Sequence, residues 1–345
     1  MRKLIDKLAK KHSLCRSEYL EIIKNATCAD AAYLAALARA EKEKHYGKEV
    51  FIRGLIEVSN ICKNDCYYCG IRKSNQNCER YRLAEEEILE CCNAGYELGF
   101  RTFVLQGGED AYFTDERLCS IVSKIKEAHS DCAVTLSLGE RTFESYKRLY
   151  DAGADRYLLR HETATKTHYE KLHPENLSWD KRMECLENLR KIGYQVGCGF
   201  MVGSPYQSVE MLADELVFIE KFKPDMCGIG PFIPHKDTEF SGFCAGSATL
   251  TCMLLSMIRL IHPTVLLPAT TALGTVSDDG RERGILSGAN VVMPNLSPVS
   301  VRKKYMLYDN KLSSGAESAE ELDKLKQKLA AIGCTVTANR GDVKR

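Results

Sequence analysis

A regular alternation between short apolar segments and longer amphipathic ones limits most strongly what this chain can fold into. It runs from about residue 47 to residue 310. Short apolar runs predict buried strands, and apolar residues at helical spacing predict helices. Strands that alternate with helices form parallel sheets. The strand candidates are 51–58, 102–106, 133–138, 156–161, 196–202, 226–230, 264–269 and 290–294.

Helix candidates lie between these strands, at 84–98, 115–128, 141–152, 178–192, 209–221 and 247–261. Eight strand–helix units with right-handed crossovers predict an α/β fold, a (β/α)8 TIM-type barrel. A doubly wound open sheet is the alternative. It ranks lower because the one Gly-rich turn after a strand, Gly107-Gly108, lacks the spacing of dinucleotide-binding loops.

The pattern divides the chain into three parts. Residues 1–46 predict a helical N-terminal extension, residues 47–312 the barrel, and residues 313–345 a C-terminal helix and tail. Ser313-Ser314-Gly315 predicts the break before a surface helix at 319–332, and 333–345 predicts a short strand or a frayed end.

Composition excludes several classes of partner. The chain has 48 basic and 47 acidic residues and no block of like charge, so we expect neither nucleic acid nor membrane as a partner. The N-terminus has no apolar run long enough for a signal peptide or a membrane span. Sixteen scattered cysteines in a chain of this length indicate reduced thiols. We therefore expect a cytoplasmic protein.

Unusual polar residues cluster where the predicted strands end, which is where barrel enzymes carry their catalytic groups. The second strand runs into Gln106–Asp110, the fourth into Arg160–Thr163 and the seventh into Thr270-Thr271. The first strand is followed by Cys62, Cys66 and Cys69 at C-x3-C-x2-C spacing.

Three thiolates in eight residues can hold three irons of a cubane cluster, whereas most cubanes take four cysteines. The fourth iron would then be open to an exogenous ligand. A zinc knuckle is the alternative. Zinc sites pair C-x2-C with a second pair or with histidines, and no such partner follows here. The spacing therefore favours a cluster.

With Tyr68 just before its last cysteine, this motif resembles the signature of radical S-adenosylmethionine (SAM) enzymes. The resemblance implies one 4Fe-4S cluster with three cysteine ligands, Cys62, Cys66 and Cys69, and SAM bound at the open iron. Reduction would cleave SAM to a 5′-deoxyadenosyl radical, while the protein supplies orientation and excludes side reactions.

Longer motifs resemble the HydE family of FeFe-hydrogenase maturases. They include ICKNDCYYCGIR at 61–72, YLLRHETA at 157–164, GIGPFIPH at 228–235 and PATTALGT at 268–275. The resemblance implies a small iron–cysteine complex with carbonyl and cyanide ligands as substrate, and a role in maturation of the di-iron centre. The implied partners are other hydrogenase maturases and a low-potential electron donor.

Two alternatives remain. One is a radical SAM enzyme of amino-acid or sulfur-insertion chemistry, such as methylornithine synthase or biotin synthase. The other is an iron–sulfur or zinc protein that only binds or senses.

The resemblance also assigns residues. Glu162 would accept hydrogen bonds from the SAM ribose and Arg182 would pair with the methionyl carboxylate. The full set of SAM-binding candidates is Tyr68, Gly107, Gly108, Glu109, Glu162, Arg182 and Tyr305. The substrate-binding candidates offer a cation and hydroxyls for a carboxylate. They are Gln106, Thr135, Arg160, Thr270, Thr271 and Tyr308.

The chain departs from the family pattern at three places. Residues 305–325 contain no cysteine, so we expect no second cluster. Gly107 stands where Ser is usual, and Ser204-Pro205-Tyr206-Gln207 replaces Leu-Pro-Gly-Gln. We expect His161, His235, Cys198 and Cys227 to be core or supporting residues rather than metal ligands.

Overall fold

A computed structural model describes residues 1–313 and 317–344. The predicted break at 313–315 falls mainly on residues outside this part of the chain. The N-terminal segment forms three helices: α1 Arg2–Lys11, α2 Arg16–Asn25 and α3 Cys28–Tyr46. Thr27 begins α3 by a capping box, in which its hydroxyl accepts from the Asp30 N–H and the Asp30 carboxylate accepts from the Thr27 N–H.

Strands and helices then alternate as the pattern predicts. The strands are β1 Glu49–Ile52, β2 Gly54–Ser59, β3 Thr102–Gly107, β4 Ala133–Ser137, β5 Arg156–Leu158, β6 Gln195–Cys198, β7 Met201–Val202, β8 Met226–Cys227, β9 Gly230–Pro231, β10 Val291–Val292 and β11 Thr335–Thr337. The helices are α4 Glu85–Glu97, α5 Asp115–Ala128, α6 Phe143–Asp151, α7 Lys166–Leu172, α8 Trp179–Ile192, α9 Val209–Phe222, α10 Ala248–Ile261, α11 Thr271–Val276, α12 Gly280–Leu286, α13 Val299–Arg302 and α14 Leu322–Ala331.

Parallel pairing closes these strands into a ring. β2, β3, β4, β5, β6 and β8 are neighbours in that order, and β10 pairs with β1. β1 and β2 belong to one strand interrupted at Arg53, whose N–H donates to the Val292 carbonyl at 2.9 Å. The α/β barrel prediction is confirmed, and the open-sheet alternative is wrong.

The seventh position of the ring contains no regular strand, although 264–269 was predicted as one. Leu266 bridges to Met226, and Pro268 bridges to Val291. These two isolated bridges link β8 to β10. The ladder is short here because Pro268 has no N–H to donate.

The N-terminal helices cover a face of the barrel that could not face water. Residues Thr251–Ile261 of α10 are buried on every side of the helix. A helix that is apolar all round needs partners all round. α10 packs against α3 and α9 as well as against the barrel, so the N-terminal extension completes its burial.

The last residues cross the base of the barrel, at the amino-terminal ends of the strands. β11 pairs with β1, so the predicted short strand within 333–345 is present. Beyond it the Asp342 carboxylate accepts from Arg156 at 2.5 Å and from Gln195 at 2.8 Å. The Arg53 guanidinium donates to the Gly341 carbonyl at 3.3 Å. The tail is therefore tied to barrel residues.

A buried hydrogen-bonded pair holds the segment that follows β5. His161 and Glu215 are both fully buried, and their Nε2 and Oε2 atoms are 2.8 Å apart. The other Glu215 oxygen accepts from the Ala164 N–H at 2.6 Å. Glu215 on α9 thereby fixes the backbone on both sides of Glu162, and His161 is a supporting core residue as expected.

We expect Glu215→Ala to lower the free energy of unfolding by about 3–5 kcal/mol, because it leaves His161 and the Ala164 N–H buried without an acceptor. Urea unfolding followed by circular dichroism measures the change. The control is Asp151→Ala, which removes an exposed pair with Lys147 and should cost less than about 1 kcal/mol. Equal losses in the two variants would contradict this role.

Candidate active site

A cavity of about 340 Å³ lies at the carboxyl ends of the barrel strands. Every site residue predicted from the sequence lines it except Thr135. Those brought together are Cys62, Cys66, Tyr68, Cys69, Gln106, Gly107, Gly108, Glu109, Arg160, Glu162, Arg182, Thr270, Thr271, Tyr305 and Tyr308.

Thr135 lies one layer deeper in the barrel. It is fully buried in β4 and borders a separate void of about 10 Å³ with Arg156 and Met226. Side chains on one face of a strand recur every second residue. Ser137, two positions further along β4, therefore takes the place at the cavity that the sequence assigned to Thr135.

The cysteine loop is fastened to the end of β3. The N–H of Glu109 donates to Cys62 Sγ at 3.4 Å, and the Lys63 N–H donates to the Glu109 carbonyl at 3.0 Å. A Cβ on Gly108 would lie 2.2 Å from the Ile61 carbonyl oxygen, so only glycine allows this approach. The same Cβ on Gly107 would have its nearest contact at 3.2 Å.

Asp110 holds the same turn from the other side. Its carboxylate accepts two bonds from Arg82, at 2.7 and 2.9 Å, and one from Ser59 at 2.8 Å. Desolvation opposes ionisation, but these donors outweigh it and lower the pKa of Asp110. The turn after β3 is thus anchored at both Glu109 and Asp110.

Glu162 has an unusual backbone conformation. Its φ is 64°, in the left-handed region that non-glycine residues rarely adopt. Its N–H donates to the Gly199 carbonyl at 3.0 Å, which fixes this conformation. Backbone strain of this kind concentrates at functional sites. The Glu162 carboxylate faces the cavity, with Oε2 3.3 Å from Arg160 Nη2.

Arg182, on α8, reaches the cavity from behind the barrel ring. Its Nε lies 2.8 Å from Glu140 Oε1, and both side chains are nearly buried. Burial opposes the charge on Arg182, but Tyr169 and Glu140 raise its pKa well above the ordinary value. Burial raises the pKa of Glu140, and Arg182 offsets part of this rise. Arg182 therefore presents a positive charge to the cavity.

Three predicted substrate residues have buried polar atoms without a hydrogen-bond partner among the described residues. On the cavity wall these atoms are Nε and Nη2 of Arg160 and Oγ1 of Thr270, and one layer deeper the atom is Oγ1 of Thr135. The Arg160 and Glu162 charges are close but not aligned for a hydrogen bond. The Thr271 hydroxyl, in contrast, donates to Glu317 at 2.8 Å. Among the predicted substrate residues on the cavity wall, Arg160 and Thr270 thus have polar atoms available to a ligand.

Aromatic residues close two sides of the cavity. The Tyr68 hydroxyl lies 3.2 Å from His173 Nε2. Gln106 donates to the Tyr305 hydroxyl at 3.5 Å, and Tyr305 is nearly buried. Burial raises the pKa of Tyr308, so this phenol is neutral. Tyr305 and Tyr308 both line the cavity.

Sequence reasoning missed Glu57 and Lys311, which also line the cavity. Glu57 belongs to an apolar strand and Lys311 to a loop with no motif. The signal that could have found Glu57 is an acidic residue within a fully buried strand, because such residues are almost never buried without a partner.

The family model described as the Radical SAM superfamily matches residues 56–219. The chain is 45% identical over 279 residues to the [FeFe] hydrogenase maturase subunit HydE of Thermotoga maritima, covering 81% of this chain and 79% of that protein. This chain belongs to the radical SAM enzymes of the hydrogenase-maturase type.

Relatives named for other activities share the enzyme's architecture. This chain is 28% identical to the 3-methylornithine synthase of Methanosarcina acetivorans, over 86% of this chain and 83% of that protein. The crystal structure of methylornithine synthase superposes with a TM-score of 0.85 at 26% identity, and 97% of each chain is covered. In the part of the enzyme that the structure describes, no helix has the length and apolar character needed to cross a membrane.

Membership of this superfamily implies a 4Fe-4S cluster and SAM, and the cysteine loop fits a cluster. Burial, together with the neighbouring thiol Cys62, raises the pKa of the Cys69 thiol to about 12. The Asn64 and Glu109 N–H groups donate to Cys62 Sγ, as donors around cluster sulfurs do.

No group of three or more His, Cys, Asp or Glu side chains within residues 1–313 and 317–344 could hold a single metal ion. A cubane sets a different requirement, because its ligands bind separate irons and surround a volume rather than a point.

We expect Gly108→Ala to lower iron and sulfide content after anaerobic reconstitution by at least about half, because the added Cβ must displace the Ile61 carbonyl. Gly107→Ala is the matched control and should retain wild-type content. Equal cluster content in the two variants would show that the close approach of the loop is dispensable.

Proposed function

We propose that Cys62, Cys66 and Cys69 hold a single 4Fe-4S cluster and that the enzyme reductively cleaves SAM. The observation that carries the proposal is the convergence of these cysteines with Glu162, Arg182 and Arg160 in one cavity, where Arg160 Nε and Nη2 have no hydrogen-bond partner among the described residues. We further propose a role in maturation of the FeFe-hydrogenase di-iron centre, on a small cysteine-containing iron complex with carbonyl and cyanide ligands. The similarity to HydE supports this role.

The cluster and SAM, when bound, would supply a 5′-deoxyadenosyl radical. The protein's own residues would bind and orient SAM. Arg182 would pair with the methionyl carboxylate, with Glu140 limiting its movement. Glu162 would accept from the ribose hydroxyls. The glycines after β3 leave room for the SAM amino group, and Tyr68 borders the same region.

The substrate would lie between the radical and the barrel interior. Arg160 and Thr270 would donate to its carboxylate in charge-assisted hydrogen bonds. Gln106 and Thr271 border this space, and Tyr308 shields it from water. We propose that other hydrogenase maturases and a low-potential electron donor are partners of the enzyme. We propose a cytoplasmic location, which the sixteen unpaired cysteines support.

A second candidate is an activity of the methylornithine synthase or biotin synthase type. The close superposition with methylornithine synthase supports this second candidate. Product analysis separates the two, since detection of 3-methylornithine would support the second. Residual cluster iron in a triple Cys62/Cys66/Cys69 variant would indicate a second cluster of the biotin synthase kind, with Cys198 and Cys227 as buried candidates.

We expect Cys66→Ala to abolish reductive SAM cleavage, measured as 5′-deoxyadenosine formed by reconstituted protein. Cys78→Ala is the matched control. Cys78 lies close enough to raise the pKa of Cys69, although burial is the larger cause. If Cys78→Ala lost the cluster, a protein thiol would fill the fourth iron and the proposal would fail. Tight zinc binding without SAM cleavage would also contradict the proposal.

We expect Glu162→Gln to weaken SAM binding to the reconstituted enzyme by about tenfold, because charge-assisted hydrogen bonds to the ribose become neutral ones. Calorimetry measures the dissociation constant. Glu170→Gln changes an exposed residue of α7 and should leave it unchanged. Unaltered affinity in Glu162→Gln would remove Glu162 from the SAM site.

A further inference from the structure

Lys311 and Glu57 form a buried ion pair on the cavity wall. Lys311 Nζ lies 2.7 Å from Glu57 Oε1, and the side chains are 7% and 0% exposed. Both residues line the cavity. The roles proposed above use neither of them.

The carboxylate of Glu57 is held in one position. Its second oxygen accepts from Asn295 Nδ2 at 2.9 Å, and its backbone N–H donates to Ser297 Oγ at 2.8 Å. Both partners follow β10, so the closure of the barrel itself sets where Glu57 lies. Glu57 therefore gives the Lys311 ammonium a fixed place.

The ammonium has donor capacity to spare. An ammonium has three N–H bonds, and Glu57 accepts one of them. The same nitrogen lies 5.5 Å from the centre of the Tyr305 ring, so it borders the aromatic wall of the cavity. A ligand in the cavity can thus receive a hydrogen bond from Lys311 while Glu57 keeps its own.

Stability alone does not account for this pair. Taking two charges out of water costs free energy that their attraction often fails to recover, and apolar residues of similar size often serve a fold as well. A cation kept on the wall of a cavity is useful to an anionic ligand. Arg160 borders the same cavity from the end of β5, with β3 and β4 between it and the strand of Glu57.

We propose that Lys311, positioned by Glu57, binds the end of the substrate that is remote from the carboxylate held by Arg160 and Thr270. The inference rests on the proposed function and deepens it. The substrate class is an anion with two acceptor ends, an amino-acid carboxylate and a terminal cyanide nitrogen on iron. Lys311 donates to that nitrogen.

The test uses reconstituted holoenzyme with SAM and, as probe, a synthetic anionic iron complex bearing cysteinate, carbonyl and cyanide ligands. Calorimetry gives its affinity, and infrared spectroscopy gives the cyanide stretching band. We expect Lys311→Met to weaken binding about tenfold or more and to move the bound band towards that of the free complex. Lys311→Arg should preserve most of the shift.

Two further variants separate binding from structure. In Glu57→Gln/Lys311→Met no carboxylate is left unpaired, so affinity should remain low if the ammonium binds the probe. Recovery to wild-type affinity would show that Lys311 only neutralises Glu57 and would overturn the inference. Lys147→Met, a surface control, should bind the probe normally.

The two proposals fail in different ways. If the wild-type enzyme cleaves SAM, and Lys311→Met binds the probe as tightly as the wild-type enzyme does, only the role of Lys311 is contradicted. Wild-type enzyme that neither assembles a cluster nor cleaves SAM contradicts the proposed function itself.

Discussion

The pairing of one strand on both of its sides is the constraint on which the rest of this structure depends. Gly54 is in register with Phe103 of β3, and Phe51 with Val291 of β10. This strand therefore joins the first and last units of the ring. The loop that leaves its carboxyl end carries the three cysteines, which closure places beside the turns that follow the other strands.

The cavity combines charges that are balanced locally. Arg182 faces Glu140, Arg160 faces Glu162, and Lys311 faces Glu57. Buried charges are tolerated when a partner offsets the loss of hydration. Each pair also leaves donor or acceptor atoms for a ligand. The cavity therefore suits a ligand such as SAM, which carries charges of both signs.

The sequence predicted the barrel well because its helices and strands have strong periodic patterns and short connections. α5 begins and ends where the pattern placed it, at Asp115 and Ala128. The pattern could not show that the seventh strand is reduced to two bridges, since Pro268 interrupts a ladder only once its neighbours are known. Pairing partners distant in sequence have no local signal.

The candidate site was predictable in kind but not in detail. Nearly all the residues assigned from motifs line one cavity. The motifs could not show that Thr135 lies one layer deeper in the barrel. They also could not show that the Thr271 hydroxyl is already used by Glu317. Glu57 and Lys311 are far apart in the sequence, so only the folded chain shows that they meet.

The tail across the barrel base has a consequence for biosynthesis. Arg156 is a nearly buried cation in β5, and the carboxylate that offsets it belongs to Asp342, almost at the end of the chain. A chain emerging from the ribosome exposes its N-terminal half first. The barrel can therefore pair this guanidinium with its carboxylate only once Asp342, 186 residues further along the sequence, has been synthesised.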